Sequence, residues 1–149
     1  MAKLGRLPER TCVVLGDLST GMVAGAYNAL MGEGAFSFLV LDIQNIPVPE
    51  ESFDLVVANH MLYHVPDMRR GVSELAHVLK PGGRLCATTI GFNHMRELAE
   101  LVEKFKPGYR DMRGQARRFA LENAVEILGH AFGDIKIYRY DQYLRHLRR

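Results

Sequence analysis

Two cysteines and no tryptophan stand among the 149 residues of this chain. Two thiols so far apart in sequence do not make a disulfide scaffold. Cys12 and Cys86 each fall in an apolar run, where a thiol is expected to behave as a small hydrophobe, and a reducing, cytoplasmic compartment fits that usage. Charge of one sign is also scarce. The balance of 19 Lys+Arg against 17 Asp+Glu leaves only +2, far from the dense positive field of a nucleic-acid binder, so no nucleic-acid partner is expected. The local arginine groups, Arg110, Arg113, Arg117 and Arg118, then Arg139, Arg145, Arg148 and Arg149, read as solvated surface. No run approaches the ~18 apolar residues of a membrane span, and residues 1–10 lack the apolar core of a signal peptide, so neither a membrane nor export is expected. Repeats, low-complexity tracts and linkers are missing too, which leaves residues 1–149 as one expected domain.

What is present is an apolar fraction of 48%, enough for a core without disulfides or metal. Residues 11–16 (TCVVLG) form a short β-branched run that ends at Asp17, as expected for a strand covered on both faces. A helix follows, capped by Ser19 or Thr20, with Met22, Val23, Ala26, Tyr27 and Leu30 at helical spacing and Gly32 and Gly34 as its stop. Residues 36–41 (FSFLVL) and 53–58 (FDLVVA) are further strands, ending at Asp42 and Asn59. Asp67 then caps a helix carrying Met68, Val72, Leu75, Ala76 and Leu79, and Pro81-Gly82-Gly83 ends it before a strand over 84–90. A helix with Met95, Leu98, Leu101, Val102 and Phe105 is broken at Pro107-Gly108. Residues 109–118 read as loop, 121–131 as helix, and 135–140 (IKIYRY) as a strand with one wet face.

Strand and helix alternate, so the expected class is α/β, a three-layer sandwich around a mainly parallel sheet. Ligands of such sheets bind outside the carboxyl ends of the strands, where Asp17, Asp42 and Asn59 lie. A carboxylate such as Asp17 can accept from two vicinal ribose hydroxyls, or it can serve the helix start behind it. Asp42 can accept from an exocyclic adenine amine between Leu18, Met22 and Ile43, or it can form a turn. His60 and His64 stand four apart, as two ligands on one helix face would, but H-E-x-x-H is absent and no metal is expected.

The segments GDLSTGMV (16–23), LDIQNIPVPEESFDLVVANHMLYHVPD (41–67) and ELAHVLKPGGRL (74–85) resemble class I S-adenosylmethionine-dependent methyltransferases of the small-molecule type. That resemblance implies a Rossmann-like sheet with S-adenosylmethionine as cofactor and S-adenosylhomocysteine as product. It places Asp17 on the ribose, Leu18 and Met22 against adenine, Asp42 on its amine and Ile43 through its backbone. Asn59 and His60 would line the methionine end, Tyr63 and His64 the pocket of a small-molecule acceptor, with His60 and His64 as candidate catalytic bases.

One part of the family pattern has no counterpart. A first strand leading into a Gly-rich turn does not appear, since Gly32-Glu33-Gly34 closes a helix instead of opening one. The resemblance therefore implies a methyltransferase sheet without its first and last strands. Two inner edges would then be exposed, to be closed by direct pairing of the remaining strands or by a second copy, giving a homodimer. Two functions follow: methyl transfer to a small acceptor, or a non-catalytic methyltransferase-like remnant that binds or self-associates. A nicotinamide-dependent oxidoreductase is the weaker reading, because G-x-G-x-x-G is absent.

Overall fold

At Ser19 the backbone is still extended, and the hydroxyl accepts from the Met22 N–H at 3.3 Å, giving one orphan donor of the helix start a partner. Helix α1 (Thr20–Leu30) runs from there to Gly32, whose φ of +98° turns the chain away. The computed structural model describes residues 8–107, 114 and 117–140. Around α1 lie strands β1 (Val13–Asp17) and β2 (Phe36–Val40), paired in parallel with Val13 opposite Phe36 and Asp17 opposite Val40. A second unit repeats the plan. Strand β3 (Phe53–Asn59) leads through a 3-10 turn (Leu62–His64) to helix α2 (Met68–His77), and β4 (Leu79–Thr88) returns parallel to β3. Asp67 caps α2 by accepting from the Arg70 N–H at 3.0 Å. Helices α3 (Arg96–Phe105) and α4 (Ala124–Leu128) follow.

The α/β class and the parallel strands stand. The four strands form two separate ribbons, β1–β2 and β3–β4. Direct pairing of β1 with β3, one of the two expected closures, is therefore absent among the described residues. The ribbons are tied instead by the segment after β2, where Ile43 and Ile46 pack against the core of the second unit and the Ile46 N–H donates to Glu74 Oε2 at 3.0 Å.

Three local expectations also change. Leu79 belongs to β4, opposite Phe53, and not to the helix. It shares a helical stripe with Leu75, so periodicity alone cannot separate the two readings. Residues 80–83 bulge out of β4 while β3 advances from Phe53 to Leu55. Gly82 there has φ +78°, and a Cβ on Gly83 would sit 2.9 Å from the Lys80 carbonyl oxygen. The expected strand at 135–140 forms no ladder; Ile135 packs on the core while Tyr138 and Tyr140 stand exposed, since alternation needs a partner edge to become a strand. Cys12 and Cys86 are both exposed and not buried in strands. The 109–118 loop lies mostly outside the described residues.

The core lies between the second unit and the later segment that carries Phe119 and α4. Ala58, Leu62, Val65, Val72, Leu75, Phe119, Ala124 and Leu128 form one buried cluster, with Val56, Leu85 and Ala87 against it. The opposite face of the β3–β4 ribbon carries Leu55, Val57 and Cys86, all exposed.

Candidate cofactor and acceptor site

At the end of β1, Asp17 Oδ1 accepts from the Ser19 N–H at 2.8 Å, so this carboxylate does serve the helix start. Its contacts are thus not reserved for a ligand, although a carboxylate has lone pairs left for two hydroxyls. Leu18 and Met22 beside it are 72% and 64% exposed, an apolar shelf next to a charge. Leu15, Gly16, Asp17, Met22, Val23 and Ala26 line a cavity of about 180 Å³.

At the end of β2, Asp42 forms a turn, as its alternative reading allowed. Its Oδ1 accepts from the Gln44 N–H at 2.9 Å, and the Gln44 carboxamide donates to both oxygens at 3.1 Å. The Gln44 N–H, then its carboxamide, and more weakly the Arg70 guanidinium hold the Asp42 carboxyl below its ordinary value of 3.8. The Ile43 side chain turns into the core, 3.7 Å from where a Cβ on Gly71 would lie.

At the end of β3, Thr88 of the neighbouring strand organises the site. Its hydroxyl donates to Asn59 Oδ1 at 2.5 Å, and the His60 N–H donates to Thr88 Oγ1 at 3.0 Å and to its carbonyl at 3.2 Å. His60 is held at φ +51°, a left-handed conformation that L side chains rarely adopt. His64 lies in the 3-10 turn with its ring 4.6 Å from that of Tyr63. The α-helix that would bring His60 and His64 onto one face does not exist, because a strand end and a 3-10 turn separate them.

Sequence reasoning missed Gln44, Thr88 and Arg118. Gln44 joins three elements, since its side chain also accepts from the Asp67 N–H at 2.8 Å and its carbonyl from Arg70 Nε at 2.6 Å. Arg118, read as solvated, donates to the carbonyls of Val65 at 2.8 Å and Pro66 at 2.7 Å, just past the 3-10 turn. No local pattern marks such residues, whose partners lie tens of positions away.

Residues 2–87 match the family model of the methyltransferase domain. The chain belongs to that family. All nine candidate site residues of this methyltransferase domain fall within the match. It is 29% identical over 122 residues to the malonyl-[acyl-carrier protein] O-methyltransferase of Methylococcus capsulatus, covering 82% of this chain and 44% of that protein. To the ubiquinone/menaquinone biosynthesis C-methyltransferase UbiE of Xanthomonas oryzae it is 32% identical over 107 residues, covering 70% and 40%. The domain thus spans less than half the length of these relatives. A SAM-dependent methyltransferase from Aquifex aeolicus superposes with a TM-score of 0.62 at 18% identity, covering 83% of this chain and 59% of that one. That likeness establishes the Rossmann-like methyltransferase fold. Among the described residues no helix is long and apolar enough to cross a membrane.

Proposed function

We propose that this domain binds S-adenosylmethionine across the carboxyl ends of β1, β2 and β3 and serves methyl transfer to a small-molecule acceptor. One observation carries the reading: Asp17 and Asn59 are the last residues of β1 and β3 and Asp42 follows β2 by two positions, with apolar Leu18 and Met22 uncovered beside the first. This donor set suits an adenosine, with carboxylates for ribose hydroxyls and an exocyclic amine, and apolar walls for a base. When bound, the cofactor supplies an electrophilic methyl on a sulfonium, which an acceptor lone pair attacks in line. The chain's own contribution is placement. Thr88 fixes the Asn59 carboxamide and the His60 backbone; His60 or His64 takes up the acceptor proton when the acceptor carries one. Tyr63 and His64 border the acceptor side. The relatives act at oxygen in one case and at carbon in the other, so the acceptor class follows neither name.

Calorimetry with S-adenosylhomocysteine, and with adenosine alone, tests this. Both should bind, and Asp17→Asn should weaken both by tenfold or more, on the order of 1.5–3 kcal/mol for a charged hydrogen-bond acceptor. Asparagine still accepts from the Ser19 N–H, so the helix start survives the change. No binding of either, by a chain that melts cooperatively, removes this reading. A second reading, a methyltransferase-like domain that acts by binding or self-association, is supported by the inner edges of β1 and β3, which carry no ladder. It predicts a binding partner and no response to Asp17→Asn.

A further inference from the structure

At the amino end of the β1–β2 ribbon, away from the strand-end acids, α1 and β2 leave a space between them. Phe36 and Phe38 stand two apart on β2 and so share a face. Leu30 and Met31 follow Tyr27 by three and four positions at the end of α1 and so share one side of the helix with it. Together with Glu33 these residues line a cavity of about 310 Å³. The Tyr27 and Phe38 rings form adjacent walls, with centroids 5.4 Å apart and planes at 80°. Phe36 pairs with Val13, and Asp17 stands four residues further along β1, roughly 13 Å away. The cavity is therefore separate from the proposed cofactor site.

Charge around this space is one-sided. Residues 11–68 carry seven carboxylates and no lysine or arginine. Later segments bring cations to two of them, Arg70 near Asp42 and Lys80 to Asp54 at 2.9 Å. Glu33 has no ion pair among the described residues, and the last turn of α1 holds no basic residue against its terminal carbonyls. The cavity therefore favours a cation, and its walls decide the kind. A metal ion needs several oxygen ligands and would find one carboxylate. A primary ammonium needs three acceptors, yet the carbonyls of Tyr27, Leu30 and Glu33 already accept from the Met31, Glu33 and Ala35 N–H groups. A quaternary ammonium has no N–H to satisfy, and ring faces attract its diffuse charge. We propose that this cavity is a binding site for a small-molecule quaternary ammonium, seated among Tyr27, Phe36 and Phe38 with Glu33 as its counter-charge. The entrance is open, since a Cβ on Gly32 or Gly34 would meet nothing within 4 Å. The site rests on the cavity and its charge and not on the cofactor reading.

The probe is choline, titrated into the isotopically labelled full chain at constant ionic strength. The amides of Gly32, Glu33, Gly34 and Phe36 should shift together and saturably at millimolar choline, while those of Asp17 and Gln44 stay in place. The neutral tert-butyl isostere of choline, with carbon in place of nitrogen, should bind about tenfold more weakly. Glu33 is exposed, so Glu33→Gln should melt like the parent and yet weaken choline about threefold. Tyr27→Leu, which keeps an apolar wall without the ring, should also weaken it about threefold. Equal binding of the isostere overturns the proposal, because the space is then an apolar gap that does not select charge. So does the absence of saturable shifts, or a Glu33→Gln chain that binds choline as the parent does. Choline affinity unaltered by S-adenosylhomocysteine upholds a separate site, whereas competition between the two, with shifts at Asp17 and Gln44, overturns it.

Discussion

The units β1–α1–β2 and β3–α2–β4 share one plan, two parallel strands joined through a capped helix, but differ in what lies against them. Helix α2 buries Gly71, Val72 and Leu75 between its own strands and the segment that carries Phe119 and α4. Helix α1 buries nothing, and before Ala58 no described residue is fully buried. A strand–helix–strand motif thus supplies a layer and a half, and only a further layer turns its apolar stripe into a core. The second unit has that layer within the chain. The first is left leaning on Ile43 and Ile46.

Truncations should expose this difference most strongly. Phe119 is 1% exposed and fills the cluster under α2, so Phe119→Ala should cost about 3–5 kcal/mol. Leu15→Ala, in the half-buried first unit, should cost less than about 1.5 kcal/mol in the same denaturant titration. Equal losses at the two sites would break the contrast. The caps sharpen it further. Asp67→Ala and Ser19→Ala each remove one side-chain acceptor worth about 1 kcal/mol. The first should lower the global melting temperature, whereas the second should mainly speed amide exchange within α1.

The smallest effect is a pH dependence. The folded Asp42 carboxyl titrates below 3.8, so its contribution is fully present above that value and is lost as the pH falls through the lower folded pKa. Asp42→Asn should flatten the acid end of a stability profile, with its cost present in full near neutrality and closing as the pH falls through the folded pKa. No difference at pH 7 would show that Gln44 needs only the acceptor and not the charge.

These contrasts were only partly legible in the residues. The caps at Ser19 and Asp67, the strand-end acids and the parallel order follow from local chemistry and patterning, and the structure has them where spacing puts them. The break between β1 and β3 has no local signal, because an unpaired edge has the same sequence as a paired one. Leu79 fits a helical stripe and a strand start equally well. Phe119 lies outside any periodic run, and Thr88, Gln44 and Arg118 act on groups 23 to 53 positions away. Asp17 and Asp42 were readable as candidates, yet both also hold their own turns, a double duty that composition does not reveal.

His60 sets stability and chemistry against each other. A left-handed conformation costs a side chain with a Cβ roughly 1–2 kcal/mol that glycine would not incur. Stability alone would therefore put glycine just past the end of β3, where the backbone N–H of residue 60 is held by Thr88 whatever side chain it carries. The same rigidity fixes where the ring leaves the backbone, so the domain carries at this point a small store of strain whose release and whose loss of aim would come together.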